Sequence, residues 1–371
     1  MKSVVYRKKI AGAGGLSAPE LARLLLDALL DKNESAAAGP LPPSEEELLT
    51  KQLEATAQEL GGEAAVVPGE ELLERMHGLG WLRRGDGGVG YELAPQVLRA
   101  LELRALRKLF VPPLRRRGGW PRSGGRGPHE PHGAEEAWRW GEPLRLDAAA
   151  TLKAILPRSV AEMRLDDLRV RAGEGGRRLA VALLLDCSHS MVLYGVDRFG
   201  PAKRAALALA HWVRAAGGWL RVFCVHDRAD PVAEGRLPFV RVLPSHTNIA
   251  AGLSQAHGWL RRRLAEERVV ILITDGRPTA IETADGQIYK NAWGFDRRIK
   301  EKTLAEAVRL RRLGAELQIY LLGDEAEARS FNAELARRAR GRLLPVRADE
   351  LGARVLRDLD EGRWAGVGGW R

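Results

Sequence analysis

The chain has 371 residues, 45% of them hydrophobic and 29% charged, with a formal net charge of +11. That length is enough for two or three domains around a sizeable core, and no run approaches the roughly eighteen uninterrupted apolar residues of a membrane span. Two cysteines, Cys187 and Cys224, exclude a disulfide framework and read as small buried or half-buried fillers. The first basic residues, Lys2, Arg7, Lys8 and Lys9, precede an apolar stretch broken by Glu20, Arg23 and Asp27, which does not fit a secretory signal. A cytoplasmic location is the expectation. The positive charge suits acidic partners, nucleic acid included, and equally suits the arginine-rich usage of a GC-rich genome.

Leu21, Leu24, Leu25 and Leu29 recur at helical spacing, with Ser17 as N-cap, and predict a helix over 16–31. A second helix opens at Ser44 with Glu47 three residues on, a capping-box pattern, and stops at Gly61-Gly62. Residues 68–110 read as helix, hairpin, helix. Leu72, Leu73 and Met76 line the first helix, Arg83 to Gly88 form the turn, Tyr91-Glu92-Leu93 returns, and Pro95 opens the last helix. This resembles half of a winged-helix unit, with Arg83 and Arg84 where a wing touches phosphates. Such units bind DNA or dock proteins, so residues 1–110 are expected as a mostly helical region with either role.

Residues 111–143 form a Gly/Pro/Arg-rich linker. His129, Glu130 and His132 lie in it without a further ligand at metal-binding spacing, while Trp120, Trp138 and Trp140 are expected to anchor it in a groove. Residues 144–176 read as a docking helix, Asp147 to Leu156, and an extended arm from Leu165.

From 177 to 361 strand and helix patterns alternate. Leu179–Leu185 and Val269–Ile273 are fully apolar, as in strands buried on both faces, and further strands are expected at Trp219–His226, Leu317–Leu322 and Leu343–Val346. Helices are expected at Pro201–Ala216, Ala250–Leu264, Glu301–Leu313 and Phe331–Arg340. Sequential β-α units of this kind make a doubly wound, mainly parallel α/β sheet of Rossmann-like form.

Asp186, Ser188 and Ser190 follow the first apolar strand, Asp275 follows the second, and Thr247 opens a helix between them. In an open parallel sheet these are the carboxyl ends of strands, where ligands bind. Carboxylates and hydroxyls converging on three loops suit a hard divalent cation, Mg2+ or Mn2+. Adjacent Ser188, His189 and Ser190 do not form a nucleophile–base–orienter relay, and no Gly-rich loop ending in Lys-Ser or Lys-Thr offers a common ATP site. The expectation is a binding module, not an enzyme. The segment 278–298 beside Asp275 reads as a partner-facing rim or as an insertion packed on its own aromatics.

The pattern Asp-x-Ser-x-Ser, a distant Thr and a later Asp-Gly resembles the metal-ion-dependent adhesion site of von Willebrand factor A domains. The resemblance implies that Ser188, Ser190 and Thr247 ligate the metal directly and that Asp186 and Asp275 act mainly through water. The elements Arg145-Leu146-Asp147-x-x-x-Thr151-Leu152 and Asp167-Leu168-x-Val170 extend it to magnesium chelatase D-type subunits, and to stand-alone bacterial proteins of helical region, linker and A domain. That company implies a partner AAA+ ATPase of the MoxR or magnesium chelatase I type, contacted through a carboxylate at the metal, in remodelling or in metal or cofactor insertion. A nucleic-acid-associated regulator using the winged-helix-like region and basic linker is the alternative.

Overall fold

The computed structural model describes residues 16–31, 44–61, 67–85, 90–109, 135–137, 169–171, 179–265, 267–291 and 296–360. The linker tryptophans, the histidines at 129 and 132 and the expected docking helix lie outside the described residues.

The amino-terminal region carries α1 (Ala18–Asp31), α2 (Glu45–Leu60), α3 (Gly69–Gly78), β1 (Leu82–Arg84), β2 (Tyr91–Leu93) and α4 (Pro95–Lys108). Ser44 and Glu47 form the expected capping box, each side chain taking the other's backbone N–H at 3.1 Å. Strands β1 and β2 pair antiparallel, Leu82 opposite Leu93. The three helices expected before the hairpin are all present, and α1 and α2 pack with this unit.

The carboxy-terminal part is built on β5 (Leu179–Asp186), β6 (Trp219–Val225), β7 (Ala229–Val232), β8 (Glu267–Thr274), β11 (Glu316–Leu321) and β12 (Arg342–Pro345). They form one sheet in the order β12-β11-β8-β5-β6-β7. All neighbours run parallel except β7, which turns back along β6. That strand was not expected from the sequence. Its Pro231 removes a ladder donor, which only an edge strand tolerates. All eight residues of β5 are buried, because helices cover both faces of the sheet.

On one face lie α6 (Ile249–Arg261), α7 (Arg297–Arg312) and α8 (Ala326–Arg338). Their Leu253, Trp259, Leu310, Phe331 and Leu335 close over Ala182, Leu184, Phe223 and Leu272. On the other lie α5 (Phe199–Ala215) and α9 (Leu351–Asp360). A short hairpin, β9 (Ala280–Glu282) with β10 (Ile288–Lys290), fills part of the 278–298 segment and packs Ile281 and Tyr289 on Ala250 and Ile299.

The amino-terminal region is not tethered at a distance from this sheet. The described residues of both form a single compact unit. Helix α4 lies along α5, and a Cβ on Gly352 at the start of α9 would strike Leu109 Cδ2 at 2.3 Å. Helix α5 is buried on nearly every side, at Ala202, Ala205, Ala206, Leu207, Ala208, Leu209 and Ala210. A helix apolar all round is one covered on both sides. In chain order between residues 110 and 177, β3 (Glu135–Ala137) and β4 (Arg169–Arg171) pair antiparallel and belong to a separate unit.

Candidate metal centre

Strands β8 and β5 are neighbours in register, Leu185 opposite Ile273, so Asp186 and Thr274 reach the same edge of the sheet. The chain runs from β5 through α5 to β6 on one side, then crosses by α6 to β8 on the other. Strand order therefore reverses at β5, and a crevice opens at the carboxyl ends of β5 and β8.

Asp186 is 0% exposed. Its Oδ1 accepts the Ser188 N–H at 3.0 Å, closing a tight turn, and its Oδ2 accepts the Thr274 hydroxyl at 2.6 Å. Ser188 Oγ lies 3.0 Å from Ser190 Oγ, and Ser190 Oγ donates to Asp275 Oδ1 at 2.8 Å. Asp186, Ser188, Ser190 and Asp275 thus form one connected group. Thr247, 5% exposed, is held separately from that group, through its backbone: its N–H donates to Thr279 Oγ1 at 3.0 Å and its C=O accepts from Thr279 N at 2.9 Å. Leu243 N donates to Cys187 O at 2.8 Å and His189 N to Ser245 O at 3.4 Å, drawing the Thr247 segment against the Asp186–Ser190 loop. A 3-10 turn at Glu234–Phe239 leads into irregular chain before Thr247.

Burial, and then the neighbouring Asp275 charge, push the Asp186 carboxyl up to about 7. Asp275 is raised too, chiefly by burial, against the opposing pull of the Ser190 hydroxyl and Arg198. Two buried carboxylates at one crevice carry a charge that water does not screen. All the polar atoms brought together are oxygens, which suits a hard divalent ion. Among the described residues no group of three or more His, Cys, Asp or Glu side chains is arranged to hold a metal, so a zinc-type centre has no donor set there.

Several residues not singled out from sequence position this site. Thr274 fastens Asp186 and Thr279 fastens Thr247. Gly323 lets the chain after β11 approach Asp275, whose carbonyl oxygen would lie 1.9 Å from any Cβ there. Asn332 on α8, 0% exposed, donates to Gly276 O at 2.9 Å, and Arg277 reaches Glu325 and Glu327 at 2.7 Å each. Thr274, Arg277 and Thr279 flank Asp275 in sequence; Gly323 and Asn332 come from distant chain.

Residues 179–359 match the family described as Rv0959-like protein, vWA domain. The chain carries a von Willebrand factor A domain. The uncharacterized protein Rv0959 of Mycobacterium tuberculosis is 34% identical over 324 residues, covering 82% of this chain and 47% of the relative. The same figures hold for protein Mb0984 of Mycobacterium bovis. The chain thus spans about half the length of these relatives. Among solved structures, the vWF domain of the type V pili tip protein Mfa5 from Porphyromonas gingivalis is similar at 12% identity, over 53% of this chain and 98% of that one, with a TM-score of 0.40. The PilB minor pilin from Streptococcus sanguinis is similar at 12% identity over 54% and 66%, with a TM-score of 0.41. The A domain fits a role in protein interaction or adhesion. Among the described residues, no helix is long and apolar enough to cross a membrane.

Proposed function

We propose that the A domain is a metal-dependent protein-binding module. Ser188, Ser190 and Thr247 hold Mg2+ or Mn2+, with Asp186 and Asp275 balancing its charge. A bound ion of this kind supplies a Lewis-acidic position for a carboxylate of a partner protein. The observation that carries the reading is the linked set of oxygens from two strand ends, Asp186 to Thr274 and Ser190 to Asp275. The chain's own work is to hold those oxygens in place, because they sit on loops fixed by the ends of buried strands. The proposed role is binding, not catalysis.

By the resemblance to magnesium chelatase D-type subunits and MoxR-associated A-domain proteins, the proposed partner is an AAA+ ATPase acting in remodelling or in metal or cofactor insertion. The nucleic-acid reading has less support. Arg84 on the hairpin is engaged within the chain, with Glu46 at 2.9 Å and the Tyr91 ring face at 4.7 Å. The other flank of the hairpin is taken up by Arg236, which donates to Tyr91 O at 3.0 Å and to Glu45 at 2.9 Å. Co-purification with a MoxR-type ATPase tests the assignment. Capture should require magnesium, stop with EDTA and stop in Asp275→Ala. Capture that is equal in EDTA and in this variant contradicts it; binding to DNA that weakens steeply with salt would instead favour the regulator.

A further inference from the structure

The chain has only two cysteines, and the fold brings them together. Leu185 of β5 pairs with Cys224 of β6, and Asp186 with Val225. Cys187 follows directly, its N–H donating to Val225 O at 2.8 Å. Side chains alternate along a strand. Ala182 and Leu184 on β5, with Phe223 and Val225 on β6, face α6. Leu185, Cys187 and Cys224 therefore face the other way, toward α5. Cys187 Sγ donates to Leu185 O at 3.3 Å, so the thiol lies back over the residue that pairs with Cys224, and each cysteine is free. Cys187 is fully buried and Cys224 partly exposed.

Cys187 also occupies a junction. It sits between Asp186 and Ser188, its N–H holds β6, and its C=O holds Leu243 of the segment leading to Thr247. We propose that Cys187 and Cys224 form a reversible disulfide in response to hydroperoxide, and that this bond deforms the candidate metal loop. The metal consequence rests on the function proposed above; the disulfide does not.

The chemistry balances as two steps. The partly exposed Cys224 thiol attacks the peroxide O–O bond, giving the sulfenic acid and one water. The Cys187 thiol then attacks the Cys224 sulfur, forming S–S and releasing the second water. Two thiols lose two electrons and the peroxide gains them. A disulfide demands Cα atoms within about 7 Å and its own dihedral. Cys187 and Cys224 are diagonal neighbours across two strands, so closure pulls Cys187 along β6. That pull acts on the Val225 and Leu243 hydrogen bonds, which hold two of the site's segments.

The test uses the full chain, reduced, then treated with a small excess of hydrogen peroxide. Intact mass should fall by about 2 Da, one S–S bond in place of two thiols. A non-reducing peptide map should join Cys187 to Cys224, and dithiothreitol should reverse both. Amide hydrogen exchange at 187–190 and 243–247 should quicken on oxidation, a readout that needs no metal. Magnesium affinity should drop at least tenfold and recover on reduction. Cys224→Ser should stay insensitive while keeping the reduced protein's exchange pattern. A mass gain from stable sulfinic acid without a cross-link overturns the disulfide. A cross-link that leaves exchange in both segments unchanged overturns the coupling. If the reduced protein binds no magnesium, the function proposed above falls, while mass and exchange still decide this inference.

Discussion

Lys203 stands on α5 where a charge is hard to keep. It is 4% exposed, donates to Pro238 O at 3.1 Å and borders a cavity of about 30 Å³ beside Leu29, Leu48 and Phe199. Burial lowers its amine to about 8, with Asp197 opposing. Between pH 8 and the ordinary lysine value of 10.5 the unfolded chain keeps a proton that the folded chain has released, so stability contributed by this group rises with pH across that window. Below pH 8 the cost of burial is present in full, about 3 kcal/mol on the scale of 1.36 kcal/mol per pKa unit. Lys203→Met should therefore be as stable as the parent or more so at pH 7, with the advantage shrinking as pH climbs toward 10. Urea unfolding of both proteins at pH 7, 8, 9 and 10 measures it. A Met variant that is less stable at pH 7, with the gap unchanged at pH 10, would show that the charge is not buried at a cost.

At the scale of elements, α8 acts on the site without supplying a ligand. Asn332 holds the Gly276 carbonyl, Arg277 reaches back to Glu325 and Glu327 at the start of the helix, and Leu322 N donates to Thr274 O at 2.9 Å. Outer partners of this kind orient ligands, and losing one typically weakens a metal site ten- to a hundredfold. Arg277→Ala should weaken magnesium binding about tenfold. It should change stability by no more than about 1 kcal/mol, because both glutamates are more than half exposed. Arg277→Lys should recover part of the affinity. Calorimetry and thermal unfolding on the three proteins separate this from a fold defect; equal affinity in all three would remove α8 from the account. The central strands, and the places of Asp186, Ser188, Ser190 and Asp275 after them, were legible because unbroken apolar runs mark buried strands; Thr247 was placed only by the helix that opens after it. The roles of Asn332 and Arg277 were not, because each depends on a contact with chain about fifty residues away that leaves no local pattern.

Over the whole molecule, the amino-terminal region is part of the A domain's cover. Glu102 on α4 is 1% exposed and takes Arg214 of α5 at 2.5 Å, while Arg236 ties Tyr91 and Glu45 to the turn that leads toward Thr247. Burial raises the Glu102 carboxyl, and Arg214 opposes that. Arg214→Ala should cost about 3 kcal/mol, since a buried charge is left without this partner, and unfolding should remain a single transition. Two separate transitions in the parent protein would contradict a shared cover. Deleting residues 1–110 should leave a poorly soluble fragment, because α5 would meet water on a face built from Ala and Leu. The sequence did carry this in part: Leu207, Ala208 and Ala210 lie off the stripe that a singly covered helix needs. A period matched to one face hides a second buried face, and contacts between distant segments leave no spacing to read.

The most direct measurement is magnesium titration by calorimetry of the full chain and of Asp186→Ala. The account predicts saturable binding by the parent protein and at least tenfold weaker binding by the variant, with the fold intact by circular dichroism. Equal binding by both, or no binding by the parent, would contradict it.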